Sequence, residues 1–156
     1  MSDCMLSMKD RLQLLSIDLQ SLPLTDSVIL PAIQSLMELS KLKGLSLNFT
    51  NCDKLTIETT KVLGQILKTW LKGLADIQIC LEGCNGISED GLDNLVGDLA
   101  RLPILTDMSL DFRNCKNAGN FSYYLRNFPA LTVLKLNLSN CDQISGELID
   151  GFYNSE

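Results

Sequence analysis

Cysteines have the most reactive side chains in this sequence, and four of them occur at equivalent places. They are Cys52, Cys84, Cys115 and Cys141, each the eleventh residue of a recurring segment. Thiolates can hold zinc, but zinc sites usually draw on Cys-x-x-Cys pairs or Cys/His clusters. The sequence has no Cys-x-x-Cys pair and 0 histidines. We therefore predict no metal site, and interpret the four thiols as small buried side chains stacked in a column.

Catalytic chemistry has little support elsewhere in the sequence. With 0 histidines, the commonest general base and every Cys-His or Ser-His arrangement are excluded. Cys80 alternates with Ile79 and Leu81 and should face away from the core, but no neighbouring cation is evident to activate it. No phosphate-binding glycine motif is present, and the acidic residues between Glu89 and Asp98 lack the spacing of a calcium loop. We predict a protein that is not an enzyme and uses no cofactor.

The elements that position these residues follow from an internal repeat. Segments that begin at Leu42, Leu74, Leu105 and Leu131, with a fainter copy at Leu12, carry apolar residues at positions 1, 4, 6 and 8. Alternation at positions 4, 6 and 8 predicts a short strand, and helical spacing follows each turn, as in Leu92, Leu95, Val96 and Leu99. Such units must stack to bury their apolar faces. The pattern predicts an α/β solenoid of about five repeats, with a parallel sheet on one side and helices on the other.

The segments "GCNGISEDGLDNL" from Gly83 and "NCDQISGELIDGF" from Asn140 resemble those of leucine-rich repeat proteins. The resemblance extends over residues 12 to 150 and is closest to the cysteine-containing and ribonuclease-inhibitor-like classes. Two extra residues before the cysteine resemble long-strand repeats common in ciliated protists, where many such proteins are scaffolds or signalling adaptors. The resemblance implies a single domain over residues 1–156, with a concave sheet and convex helices. We expect residues 1–11 to form an N-terminal cap helix through Met5 and Met8, and residues 12–156 to form the repeats.

Composition restricts the partners and the location. The net charge of -6 and the pI near 4.6 disfavour nucleic acid, which normally requires a basic surface. No apolar run is long enough to span a bilayer, and "MSDCMLSMKD" does not resemble a secretory signal. We therefore expect a cytoplasmic protein with reduced thiols, no membrane insertion and other proteins as its partners.

Recognition residues are expected on the strand face that points away from the helices. The expected partner-binding positions there are Asp18, Asn48, Cys80, Glu82, Asp111, Arg113 and Lys135. Alternation predicts that Ile79 and Leu110 are buried while Asn48 and Asp111 are exposed. Trp70 falls on an apolar helical stripe and is expected in the core. A second expected surface is the C-terminal end, through Leu148, Phe152 and Tyr153, because only a short segment follows the last strand.

These observations favour a non-catalytic protein-interaction module, as a structural or adaptor subunit of a larger intracellular assembly. A cytoskeletal or ciliary assembly is one setting consistent with the resemblance. The alternative is a regulator or inhibitor of an enzyme, such as a GTPase or a ubiquitin-ligase pathway component, which would bind through the concave face.

Overall fold

The computed structural model describes residues 8–116 and 121–142. In chain order the elements are β1 (Leu14–Asp18), α1 (Asp26–Gln34), a 3₁₀ turn (Ser35–Glu38), β2 (Gly44–Asn48), α2 (Ile57–Trp70), β3 (Asp76–Cys80), α3 (Glu89–Leu99), β4 (Asp107–Asp111), α4 (Ser122–Leu125) and β5 (Val133–Asn137). The five strands form one sheet in the order of the sequence, and every neighbouring pair is parallel. Regular alternation of strand and helix confirms the predicted α/β arrangement, in which each helix connects two adjacent parallel strands.

The hydrophobic core lies between the sheet and the helices. Inward positions of the central strands, among them Ile79 and Leu110, are buried together with helix residues such as Leu63 and Leu95. Residues at alternate positions of the same strands, such as Ser46 and Gln78, remain at least partly exposed. This two-residue period confirms the predicted burial of Ile79 and Leu110 and leaves one sheet face free of described helices. We call that face the open face.

Each strand ends in the same kind of turn. Ser21, Asn51, Asn114 and Asn140 have φ near +60°, and Gly83 occupies the equivalent place with φ of 70°. Asparagine and glycine tolerate this left-handed conformation better than most residues, which explains their recurrence before the cysteine. The turn therefore redirects the chain in the same way after every described strand.

Polar contacts fix neighbouring helices to one another. The Asp26 carboxylate, at the start of α1, accepts hydrogen bonds from Thr56 N, Thr56 Oγ1 and Thr59 Oγ1 at 3.0, 2.7 and 2.6 Å. Lys68 of α2 pairs with Asp98 of α3 at 2.7 Å. Ser88 caps α3 by accepting a hydrogen bond from Gly91 N at 3.3 Å. These contacts set the spacing of the helix layer behind the sheet.

The two ends of the sheet are less buried than its middle. Leu15 and Ile17 on β1, and Leu134 and Leu136 on β5, are only partly buried. Residues 8–11 form a turn in which Leu12 N donates to Met8 O at 2.9 Å, and the rest of the expected cap lies outside the described residues. Within residues 8–116 and 121–142, no helix is long and apolar enough to cross a membrane.

Candidate functional site on the open face of the sheet

The parallel register aligns the open-face side chains in rows that run across the strands. One row contains Ser16, Ser46, Gln78, Ser109 and Lys135, and the next contains Asp18, Asn48, Cys80, Asp111 and Asn137. The first of these rows forms the middle of the open face, and the second lies at the carboxyl ends of the strands. The structure thus places five of the predicted positions, Asp18, Asn48, Cys80, Asp111 and Lys135, on one surface.

Side chains of the row at the strand ends also stabilise the turn that follows each strand, a role that the sequence analysis missed. Asn48 Oδ1 accepts hydrogen bonds from Thr50 N and Thr50 Oγ1 at 3.0 and 2.8 Å. Asp18, Asp111 and Asn137 make the same backbone contact with the residue two places further on. The prediction that Asn48 and Asp111 are exposed was wrong, because these contacts hold both side chains against the turn and leave them half-buried. Cys80 cannot make this contact, and its Sγ lies 3.1 Å from Thr50 Oγ1 instead.

The predicted residues Glu82, Asp111 and Arg113 form one ionic cluster. Arg113 Nη2 lies 2.8 Å from Glu82 Oε2 and 2.8 Å from Asp111 Oδ2. Arg113 Nε donates to both Asp111 oxygens at 3.0 Å, and Asn114 Nδ2 donates to Glu82 Oε1 at 3.0 Å. The hydrogen bond to Asp111 is the main reason that the pKa of Arg113 is raised. The cluster presents a fixed array of charges rather than a flexible arginine.

The same cluster contains three groups that could ligate a cation. The ligand atoms of Cys80, Glu82 and Asp111 all lie within 4.8 Å of one another. Both carboxylates, however, already bind the Arg113 guanidinium. A metal ion would have to displace that cation and would find no histidine, which disfavours a zinc-type centre. The arrangement suits recognition by charge better than metal chemistry.

A further row on the open face was missed by the sequence analysis. It precedes the predicted rows and contains Leu14, Gly44, Asp76, Asp107 and Val133. Leu14 lies over Gly44, where an added Cβ would sit 2.7 Å from Leu14 Cδ2. Asp76 and Asp107 are direct neighbours, and neither joins an ion pair among the described residues. Uncompensated like charges at adjacent positions are unfavourable, so this acidic pair favours the approach of a cation.

The repeated cysteines are structural. Sγ of Cys52, Cys84, Cys115 and Cys141 donates to a carbonyl of the preceding unit, on Leu19, Phe49, Leu81 and Phe112, at 3.0 to 3.3 Å. Burial raises the pKa of Cys84 to about 12 and that of Cys115 to about 11. Such thiols are almost wholly protonated near neutral pH and therefore inert. The predicted thiol column is confirmed, although Cys141 is only partly buried.

Aromatic side chains outside the sheet differ from the sequence expectation. The prediction that Trp70 lies in the core was wrong: it is 55% exposed at the end of α2, and Leu71 fills the buried position instead. A groove of about 340 Å³ between α3 and α4 is lined by Arg101, Tyr123 and Tyr124, which the sequence analysis did not single out. The predicted C-terminal contact residues Leu148, Phe152 and Tyr153 lie outside the described residues.

Comparison with known proteins identifies the fold but no family. No protein-family model matches the chain, and no curated protein matches it. Among the solved structures that match is one described as leiomodin-1 actin-binding site 2, with a TM-score of 0.69. The match covers 98% of this chain and 83% of the other at 13% sequence identity. The fold is leucine-rich-repeat-like. At this identity the similarity establishes the solenoid-like α/β architecture alone.

Proposed function

We propose that this protein is a non-catalytic interaction module that binds a protein partner across the open face of the sheet. It would act as a structural or adaptor subunit of a larger intracellular assembly. The observation that carries the proposal is the order of the open face, where aligned polar rows stand on a continuous five-stranded sheet. Because the backbone of the sheet is already ordered, binding on this face requires little further ordering of the main chain, which favours recognition.

The charges of the open face favour a basic partner. Asp18, Asp76 and Asp107 form no ion pair among the described residues, whereas Arg113 is neutralised by two carboxylates. Lys135 is then the one cation of the strand rows on this face without an ion pair in the described residues. The whole chain has a net charge of -6, which also accelerates encounter with a positively charged surface. We infer that the partner presents lysine or arginine side chains to the strand row of Asp76 and Asp107.

Differential affinity purification tests the proposal. The protein, and the double variant Asp76→Lys with Asp107→Lys, would be used to capture partners from extracts of cells that express it. The matched control is Glu38→Lys with Glu58→Lys, which changes the net charge equally on residues of the 3₁₀ turn and α2 that lie away from the open face. A specific partner should be lost from the open-face variant, retained by the control, and bind more weakly as salt is raised.

Purified actin provides a defined arm of this experiment, because the similar solved domain is described as an actin-binding site. Co-sedimentation with actin that the open-face variant abolishes would name the partner and support a cytoskeletal setting. Loss of a partner from both double variants alike would contradict the assignment of the open face. Turnover by the isolated chain on any substrate would contradict the non-catalytic part of the proposal.

The regulator hypothesis uses the same face and differs in what binding does. The ionic cluster of Glu82, Asp111 and Arg113 supports it, because a preformed charge array at the strand ends can fit a complementary site on an enzyme. Its test is enzymatic: addition of the purified chain should change the rate of a captured GTPase or ubiquitin-pathway enzyme. An adaptor should join two partners without changing either rate.

A further inference from the structure

Backbone hydrogen bonds between successive units repeat with a fixed direction. After each strand, a backbone N–H donates to the following unit: Leu19 to Asn48, Phe49 to Cys80, Leu81 to Asp111, and Phe112 to Asn137, at 2.8 to 2.9 Å. Before each strand, the N–H donates to the preceding unit, as Val133 does to Thr106 O at 2.9 Å. Each unit therefore offers donors and acceptors to both neighbours in a pattern that does not depend on its place in the chain.

At the edges of the sheet this pattern leaves two complementary sets of groups. Leu138 N–H and Thr132 C=O form no hydrogen bond in the described chain at the β5 edge. By the same alternation, the Leu14 N–H and the Asp18 C=O of β1 point away from β2. If β1 of another copy lay beside β5, Leu138 would donate to Asp18 and Leu14 would donate to Thr132. The unpaired donor and acceptor at the β5 edge of one copy thus match an unpaired acceptor and donor at the β1 edge of another.

Side chains at the two edges complement each other in the same register. The half-buried Leu134, Leu136 and Leu138 would meet the half-buried Leu15, Ile17 and Leu19. The missed open-face row carries exposed apolar side chains at its two ends, Leu14 at 72% and Val133 at 40% exposure. Stacking would place these two side chains next to each other. Ser21 and Asn140 have φ of 57° and 60°, so the turns of the two edge strands follow the same course.

We propose that copies of this chain associate head to tail, with β1 of one copy pairing in parallel with β5 of another and continuing the sheet. A contact between two different edges is heterologous, so each added copy leaves one edge of each kind free. The expected product grows beyond a dimer as concentration rises. The competing occupants of the edges are the chain's own residues 1–7 and 143–156.

Disulfide trapping between two single variants tests the register. Leu14→Cys and Val133→Cys protein would be mixed under mild oxidation, and linked peptides identified by mass spectrometry. In the proposed pairing the two Cα atoms are about 5 Å apart, which suits a disulfide. Each variant carries one introduced thiol, so a link between positions 14 and 133 must join two copies. Within one chain the same two positions are four strand spacings apart, about 19 Å, which is too far for a disulfide. We expect the mixture to give a disulfide between the thiols introduced at positions 14 and 133, and either variant alone to give no disulfide between two of its introduced thiols.

An out-of-register pair and an association assay complete the test. Mixing Val133→Cys with Asp18→Cys moves one thiol four residues along β1, about 13 Å away, and should give no link. Light scattering should show that the average mass of the parent rises with protein concentration. The rise should be the same for Ile104→Lys and much smaller for Leu14→Lys. Ile104 is an apt control because it is similarly apolar, is 45% exposed, and precedes β4, which is not an edge strand. A strictly monomeric parent, a symmetric disulfide between two copies of the Leu14→Cys variant, or equal linking of the out-of-register pair would overturn the proposal.

Discussion

Two leucines at equivalent positions of adjacent strands should differ in what they contribute to stability. Leu110 and Leu136 are direct partners in the β4–β5 register and point into the same core. Leu110 is 1% exposed, whereas Leu136 is only partly buried because no described strand lies beyond β5. Replacing a fully buried leucine by alanine costs about 2 to 5 kcal/mol, from lost burial and from the cavity left behind. At a half-open site we expect roughly half of that cost, because the environment can relax and less surface returns to water.

Urea unfolding of Leu110→Ala and Leu136→Ala measures this difference directly. With a denaturant slope of about 2 kcal/mol/M, a loss of about 3 kcal/mol lowers the unfolding midpoint by about 1.5 M. That is a large part of a total stability of about 5 to 15 kcal/mol. The measurement belongs at low protein concentration, since head-to-tail stacking would bury Leu136. Equal midpoint shifts for the two variants would refute the view that the β5 end of the core is open.

Three further predictions follow from titratable groups. Cys80 should react with a bulky maleimide in the native protein well before Cys84 or Cys115, whose pKa values are raised by burial. Peptide mapping over time gives the labelling rate of each thiol. Equal rates for the three would contradict the buried thiol column. Burial, helped by Glu89 and Asp90, raises the pKa of Asp93 to about 6, and its Oδ1 has no hydrogen-bond partner among the described residues. The folded state then holds this proton more tightly than the unfolded state, so stability falls as pH rises from about 4 through 6. Asp93→Asn should remove that decline and be the more stable protein at a pH of about 7.5, as judged by thermal melts across pH. For Asp26, burial acts to raise the pKa, but hydrogen bonds from Thr59 and Thr56 outweigh it and lower the pKa. Asp26→Ala should therefore lose about 1 to 3 kcal/mol at neutral pH, with a smaller loss as pH falls below the usual aspartate pKa; a difference independent of pH would contradict the charged network.

Much of the architecture was predictable because the repeat carries it. Period-two alternation predicted the strands and their inward residues, because successive side chains on a strand point to opposite faces. The stacking of equivalent units predicted the parallel order. Trp70 was mispredicted because a helical stripe does not reveal where the helix ends. Trp70 is the last residue of α2 and is exposed, whereas Leu71, the next residue, is buried. Helix boundaries depend on tertiary packing that a local pattern does not contain.

The candidate site was predictable in position and less so in role. Alternation placed Asp111 and Arg113 on the same face, but not the two ionic contacts that join Arg113 to Asp111 and Glu82. The contact with Glu82 links neighbouring units, and side-chain geometry across strands depends on register to within one residue. The signal for the turn contacts of Asn48 was present, because Asn or Asp at the start of a turn commonly bonds the backbone two residues on. An outward-facing polar residue on a strand is equally compatible with exposure to solvent, so the sequence pattern alone does not separate the two roles.

The structural roles of the positions within each repeat unit indicate which residues remain available for recognition. Positions 4, 6 and 8 build the core, the eleventh position supplies the thiol, and the seventh closes the turn, as Asn48 and Asp111 show. Substitutions at these places change stability, so their effects on binding are ambiguous. At positions 3 and 5, the side chains of Asp76, Gln78 and Lys135 form no hydrogen bond or ion pair among the described residues, and Asp107 accepts one hydrogen bond, from the neighbouring Thr106 Oγ1. Because these four side chains face away from the core, we expect substitutions of them to change the surface at little cost in stability. The partner-binding determinants that evolve independently of the fold are therefore expected in these two rows, and the acidic pair of Asp76 and Asp107 is the part of them that a basic partner would contact.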